Sequence, residues 1–86
     1  MKKFEYTVQE PSGLHARPAG LLVKAAKALD STITVKNPAG KSAVATKLMA
    51  VMGLGIKQGD AITVTVDGGD EEVSTATMER FFSGNL

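Results

Sequence analysis

Three short stretches of alternating apolar and polar residues constrain the fold of this chain more than any other sequence feature. They cover residues 4–8, 31–35 and 61–66, and each predicts a strand with one buried face. Residues 41–45 predict a further short strand, which the turn at 37–40 joins to the second strand as a hairpin. Such strands form a sheet with one face in solvent and one face covered by helices.

Helical spacing of apolar residues predicts the covering helices. From Ala16 to about Leu29, apolar residues recur every three or four positions and form a stripe suited to packing on a core. The stripe consists of Ala19, Leu22, Val23, Ala26 and Leu29. A short helix is expected from Lys47 to Gly53, with Thr46 as its N-cap. Its core contacts are expected to be Val51 and Leu54.

The last helix is expected to begin after Asp70, an N-cap residue followed by two glutamates that suit the helix dipole. We expect it to run to about Phe82 or Ser83 and to end at Gly84. Its expected inner face consists of Val73, Ala76, Thr77, Phe81 and Phe82.

The resulting order, β-α-β-β-α-β-α, defines an α+β open-faced β-sandwich, a four-stranded antiparallel sheet covered on one face by three helices. The chain has enough residues for one modest core, so we expect residues 1–86 to form a single domain. The absence of cysteine excludes disulfides and thiolate chemistry, and a single histidine makes a metal site unfavourable. We expect a soluble cytoplasmic protein, because no signal peptide and no apolar run of roughly 18 residues is present.

Charge is divided unevenly along the chain. Residues 1–57 carry nine Lys and Arg against three acidic residues, a net +6, whereas residues 58–86 carry one Arg against six acids, a net −5. The basic half holds the only histidine, which suggests that acidic partners are steered to that side. The uneven charge counts are explained equally well if both halves of the chain simply present charged faces to solvent. Nucleic acid is disfavoured, because no dense Lys/Arg cluster exists and only four aromatic residues are present for base stacking.

That histidine, His15, lies where an extended segment gives way to the first helix. Pro18 fits the first helical turn, where its missing N–H costs nothing, and this puts His15 at or beside the N-cap. The free backbone amides of Ala16 and Arg17 form an anion site with the helix dipole, and the Arg17 guanidinium suits phosphate oxygens. A neutral imidazole in this setting can take up and hand on a phosphoryl group. A lone histidine at a helix start is more often a cap or a surface residue.

The stretch Gly13-Leu14-His15-Ala16-Arg17-Pro18-Ala19 resembles the active-site signature of the HPr family, the histidine-containing phosphocarriers of the bacterial sugar phosphotransferase system. A second block, containing Gly40-Lys41-Ser42, Leu54-Gly55 and Gln58-Gly59-Asp60, resembles the central part of the same family. The resemblance implies phosphorylation of His15 at Nδ1 by phospho-enzyme I and transfer to the enzyme IIA domains of sugar permeases. It implies a carrier without a cofactor, not a turnover enzyme. Nothing indicates an obligate assembly, so we expect a monomer.

One surface must serve both partners of such a carrier. The resemblance implies that the short helix docks partners beside the first helix, with Leu48, Met49 and Met52 exposed. Taken alone, the pattern of that helix favours burial of all three. Ser12 is a candidate to orient the imidazole by a hydrogen bond. The other expected partner contacts are His15, Arg17, Gly20, Lys24, Lys27 and Lys47.

The chain departs from the family at one regulatory position. Many HPr proteins of Gram-positive bacteria carry a serine at the start of the short helix, which an ATP-dependent kinase phosphorylates, and Lys47 occupies that position here. Thr46 and Ser42 lie nearby but out of register, so we expect serine-linked control to be absent. The alternatives are a paralogous regulatory carrier of nitrogen type and a non-catalytic α+β module that binds an anion. A ferredoxin-like RNA-binding protein is the least favoured.

Overall fold

The computed structural model describes residues 1–86 and contains the expected order of elements. The strands are β1 (Lys2–Thr7), β2 (Thr32–Lys36), β3 (Ser42–Val44) and β4 (Ala61–Asp67), and the helices are α1 (Ala16–Lys27), α2 (Leu48–Met52) and α3 (Glu71–Asn85). The strands form one antiparallel sheet in the order β1-β4-β2-β3, which confirms the predicted α+β open-faced sandwich. None of the helices combines the length and the apolar character that crossing a bilayer requires.

Strand β4 lies in the middle of the core. Its Val64 pairs with Phe4 of β1 and with Val35 of β2, so one apolar face runs across three strands. The fully buried residues of β4 are Ile62, Val64 and Val66, as predicted. Branched side chains of this kind pack well on a pleated surface. Thr63 and Thr65, on the opposite face, are half-buried.

Backbone hydrogen bonds hold the segment between β1 and α1 against the rest of the protein. Val8, predicted to end the first strand, is buried but lies beyond it, and its N–H donates to the Asp60 carbonyl at 3.0 Å. The N–H groups of Gln9 and Glu10 both donate to the Leu86 carbonyl oxygen. The segment is therefore tied both to the approach to β4 and to the end of α3.

Gly13 makes a sharp turn immediately before α1. Its φ is +64°, in the left-handed region that favours glycine, and its N–H donates to the Glu10 carbonyl at 2.8 Å. The turn lies so close to the neighbouring backbone that a Cβ at this position would stand 2.8 Å from the Lys57 Cα. Leu14 follows, is buried, and donates its N–H to the Ile56 carbonyl at 3.1 Å. These contacts determine where the next residue, His15, is presented.

Helix α1 packs much as predicted but ends two residues sooner. Its stripe residues Ala19, Leu22 and Ala26 are buried, while Val23 and Leu29 are half-buried. The N–H groups of Ala28 and Leu29 donate to carbonyls three residues back instead of four. This tightening, common at the last turn, ends the α-helix at Lys27.

The N-cap of helix α2 differs from the predicted one. Thr46 is not the N-cap: the N-cap is Lys47, which has an extended backbone (φ −109°, ψ 95°) and no capping side-chain bond. A turn in which the Lys47 N–H donates to the Val44 carbonyl at 3.0 Å delays the helix by one residue. The first helical bond then runs from the Val51 N–H to the Lys47 carbonyl at 3.0 Å. Val51 and Leu54 are buried, as predicted.

Helix α3 faces the core with a different stripe from the predicted one. Its buried residues are Ser74, Met78 and Phe82. Of the predicted inner residues, Val73 is 57% exposed and Ala76 is also exposed, whereas Phe82 is buried as expected. Ser74 is tolerated inside because its hydroxyl is hydrogen-bonded to the Ser31 hydroxyl at 2.8 Å. A polar residue on the buried face of α3 is not revealed by apolar periodicity.

The two ends of α3 are held differently. At its start, Asp70 accepts a hydrogen bond from the Val73 N–H at 3.2 Å, which confirms the predicted cap. Glu71 follows, and its pKa is lowered by the Met1 amino group 2.8 Å away and by a hydrogen bond from the Gly68 N–H. At its other end the helix runs through Gly84, because the buried Leu86 anchors the last turn. The predicted stop at Gly84 is therefore wrong.

The turn before α1 makes a stability prediction with a matched control. Gly13→Ala should lower the free energy of unfolding by more than about 2 kcal/mol, because the new Cβ meets backbone and φ is positive. Gly20→Ala, inside α1 and with open space around its Cβ, should raise that free energy by up to about 1 kcal/mol. Urea unfolding of both variants measures the difference, and equal effects would contradict the packing of Gly13.

Candidate functional site

His15 is the N-cap of α1, as predicted. Its backbone is extended (φ −85°, ψ −172°), and its carbonyl accepts the first helical hydrogen bond, from the Ala19 N–H at 2.9 Å. The imidazole is exposed and makes no hydrogen bond to any protein group. A ring that caps no amide and pairs with no carboxylate is free to react with a molecule that approaches from solvent.

The first turn of α1 leaves its amides open next to this ring. The N–H groups of Ala16 and Arg17 have no protein acceptor, and Pro18, which is buried, has no N–H to satisfy. The turn also carries no acidic side chain. Two unpaired donors at the positive end of a twelve-residue helix favour an anion placed near His15.

A shallow pocket of about 310 Å³ brings His15 and Arg17 together. Its lining comprises Glu10, His15, Arg17, Pro18, Leu21, Gly84 and Asn85. The Arg17 guanidinium forms no ion pair, since the only ion pair in the protein joins Met1 to Glu71. Arg17 therefore keeps its donors available for an anion on the histidine ring.

Four members of the pocket, Glu10, Leu21, Gly84 and Asn85, were not predicted from the sequence as site residues. Gly84 and Asn85 come from the end of α3, and Leu86 next to them ties that end to the loop before His15. No local pattern links these residues to a histidine some 70 positions earlier. Glu10 is closer in sequence, and the tight turn at Gly13, whose N–H donates to the Glu10 carbonyl, precedes His15, with which Glu10 shares the pocket.

Ser12, the residue predicted to orient the imidazole, makes no hydrogen bond to the His15 ring. Its N–H donates to the Glu10 carboxylate at 3.4 Å, and its side chain is exposed. No hydrogen bond connects its hydroxyl with His15. An orienting role for Ser12 stays a prediction.

The predicted partner residues lie on α1 and α2, which pack against each other. Leu48, Met49 and Met52 are 40%, 79% and 36% exposed, so burial of all three in the core is ruled out. Lys24, Lys27 and Lys47 are exposed, and Gly20 is half-buried with nothing within 4 Å of a Cβ position. The two helices thus present an apolar patch on α2 and basic side chains on α1 and before α2.

Comparisons with known proteins agree with the motif. The family described as "PTS HPr component phosphorylation site" matches residues 2–83. The chain is 35% identical over 85 residues to the phosphocarrier protein HPr of Mycoplasma genitalium, covering 99% of this chain and 97% of that protein. It is 43% identical over 72 residues to the HPr of Lysinibacillus sphaericus, covering 84% and 81% of the two chains.

Solved structures agree as well. A crystal structure of HPr-C-His from Thermoanaerobacter tengcongensis superposes with a TM-score of 0.91 at 32% identity, covering 99% of this chain and 94% of the other. The HPr of Bacillus anthracis gives a TM-score of 0.84 at 30% identity, covering 99% and 96%.

Fold and similarity together define a small bacterial-type phosphocarrier. The chain belongs to the HPr family, the phosphocarrier component of the phosphotransferase system.

Proposed function

We propose that His15 accepts a phosphoryl group from phospho-enzyme I and passes it to the enzyme IIA domains of sugar permeases. The observation that carries the proposal is the exposed, unpaired ring at an open helix N-terminus, sharing a pocket with Arg17. Membership of the HPr family supports the choice of partners.

Acceptance begins with the lone pair of a neutral ring nitrogen, which the family resemblance implies is Nδ1. The lone pair attacks phosphorus and forms an N–P bond, while the bond to the donor breaks and leaves its electron pair on the donor. The bound group carries close to two negative charges. The open amides of Ala16 and Arg17 and the Arg17 guanidinium are donors suited to that charge, and they need little rearrangement to meet it.

Exposure of the His15 ring suits the second step, in which the phosphoryl group passes to another protein. A carrier has to release its group to a second protein, so the phosphoryl group must stay accessible from solvent. The same surface serves both partners, because each must reach the same nitrogen of His15. We name as the docking face the residues His15, Arg17, Gly20, Lys24, Lys27, Lys47, Leu48, Met49 and Met52.

The composition of the docking face suits this double use. Methionine side chains are flexible and polarisable, so Met49 and Met52 can pack against differently shaped partners. The lysines favour acidic partners and speed their approach.

We also propose that serine-linked control is absent. Lys47 is the N-cap of α2, and the family resemblance implies that this is the position of the regulatory serine. An ammonium group cannot accept a phosphoryl group from a serine kinase. Its charge at a helix N-terminus also opposes the dipole slightly.

Intact-mass analysis after incubation with phosphoenolpyruvate and catalytic enzyme I tests the acceptor. The wild type should gain one acid-labile phosphoryl group, and His15→Gln should gain none while unfolding at the same temperature, because the ring contacts no hydrogen-bond partner. An HPr from another bacterium serves as the control for enzyme I activity. A mass gain in His15→Gln would assign the acceptor elsewhere, and no gain in the wild type would favour an anion-binding module.

Truncation on α2 tests the docking face. Met49→Ala should weaken binding to enzyme I at least about fivefold, because it removes a 79%-exposed apolar side chain from the contact. The matched control is Val73→Ala on α3, 57% exposed and outside the docking face, which should leave binding unchanged. Calorimetric titration measures both, and equal affinities for the two variants would argue against α2 as a contact.

Incubation with a serine kinase specific for HPr tests whether serine-linked control is absent. With ATP, the wild type should gain no phosphoryl group, whereas Lys47→Ser introduces the hydroxyl and should gain one. Phosphorylation of the wild type at Thr46 or Ser42 would show that a neighbouring residue replaces the missing serine.

A further inference from the structure

We propose that the Glu10 carboxylate raises the phosphoryl-transfer potential of phosphorylated His15. The inference rests on the proposed function, in which His15 carries the group, and adds a residue to it. Glu10 would act through charge alone: it repels the bound phosphoryl group, so the phosphorylated carrier gives that group up more readily.

Glu10 is held in the wall of the pocket by its own backbone. Its N–H donates to the Leu86 carbonyl at 2.7 Å, and its carbonyl accepts from the Gly13 N–H at 2.8 Å. The half-buried side chain accepts a further hydrogen bond from the Ser12 N–H at 3.4 Å. Because the main chain is fixed on both sides, the carboxylate stays close to the pocket that contains His15.

Besides the imidazole, the pocket is lined by two ionisable side chains, the acidic Glu10 and the basic Arg17. The residues that α3 contributes, Gly84 and Asn85, are uncharged, and Pro18 and Leu21 complete the wall. Glu10 and Arg17 form no ion pair, so neither charge is neutralised by the other at contact distance. Both side chains line the same pocket as His15, and charges separated by less than a Debye length, about 8 Å at physiological salt, are only partly screened from each other.

The two charges have opposite effects on the same step. In transfer, the bond between the ring nitrogen and phosphorus breaks with its electron pair returning to the imidazole, and phosphorus bonds to a nucleophile of the acceptor protein. Repulsion from Glu10 exists only while the group is bound and is relieved when it leaves. Attraction to Arg17 holds the group in place. A carrier with Arg17 alone would retain its phosphoryl group more strongly.

Direct exchange between carriers measures the effect. Phosphorylated wild type, labelled with heavy nitrogen, is mixed with an equal amount of unlabelled variant and catalytic enzyme I, and mass spectrometry gives the distribution at equilibrium. Glu10→Gln should hold the phosphoryl group about two- to fivefold more often than the wild type. Glu5→Gln makes the same change of net charge at an exposed site on β1 and should divide the group equally.

Two further readouts separate charge from structure. Glu10→Asp keeps the carboxylate and should behave nearly as the wild type, and the Glu10→Gln preference should shrink at high salt, where charges are screened. An equal distribution for Glu10→Gln, a preference for the wild type, or a salt-independent effect would overturn the inference.

Failure of the proposed function would look different. If enzyme I transfers nothing to the wild type, the exchange does not start, and the proposed function is wrong. Potassium phosphoramidate phosphorylates histidine without enzyme I, and the hydrolysis rates of the resulting phosphohistidines still compare the variants. In that experiment Glu10→Gln should lose its group about two- to fivefold more slowly than both the wild type and Glu5→Gln. Equal rates would overturn the role of Glu10.

Discussion

The approach of the backbone at Gly13 to Ile56 and Lys57 is the constraint on which the functional site depends. A positive φ and the absence of a side chain let the loop turn there, and the Leu14 N–H then bonds to the Ile56 carbonyl. The next residue is presented as the cap of α1. The same turn, through the bond from the Gly13 N–H to the Glu10 carbonyl, helps to place Glu10 in the pocket that His15 also lines.

The site combines a well-fixed backbone with unsatisfied polar groups. Val8, Leu14 and Ala19 are buried on either side of His15, whereas the amides of Ala16 and Arg17 have no acceptor in the protein. Leaving helix donors exposed to water costs little, because water satisfies them until an anion arrives. Stability therefore comes from the buried residues around the motif, and the first-turn amides and the His15 ring remain unpaired.

Much of the architecture was predictable because strand alternation and the helix α1 stripe are local patterns. The cap position of His15 was predictable for the same reason, since Pro18 marks a first turn. The buried face of α3 was predicted only in part, because it includes the polar Ser74, whose hydroxyl is paired with that of Ser31, far away in sequence. The N-cap of α2 is Lys47 instead of Thr46 because a local turn, from the Lys47 N–H to the Val44 carbonyl, precedes the helix. The pocket joins Glu10 to Gly84 and Asn85 by contacts that no local pattern encodes.

The most direct measurement is a nuclear magnetic resonance spectrum of the protein labelled with heavy nitrogen, before and after phosphorylation. It locates the phosphorus through its coupling to a ring nitrogen, and it reports on every backbone amide. We expect the phosphorus on His15 and the largest amide shifts at Ala16 and Arg17, whose N–H groups gain an anionic acceptor. Phosphorus on another residue, or unchanged resonances for these two amides, would contradict the proposed site.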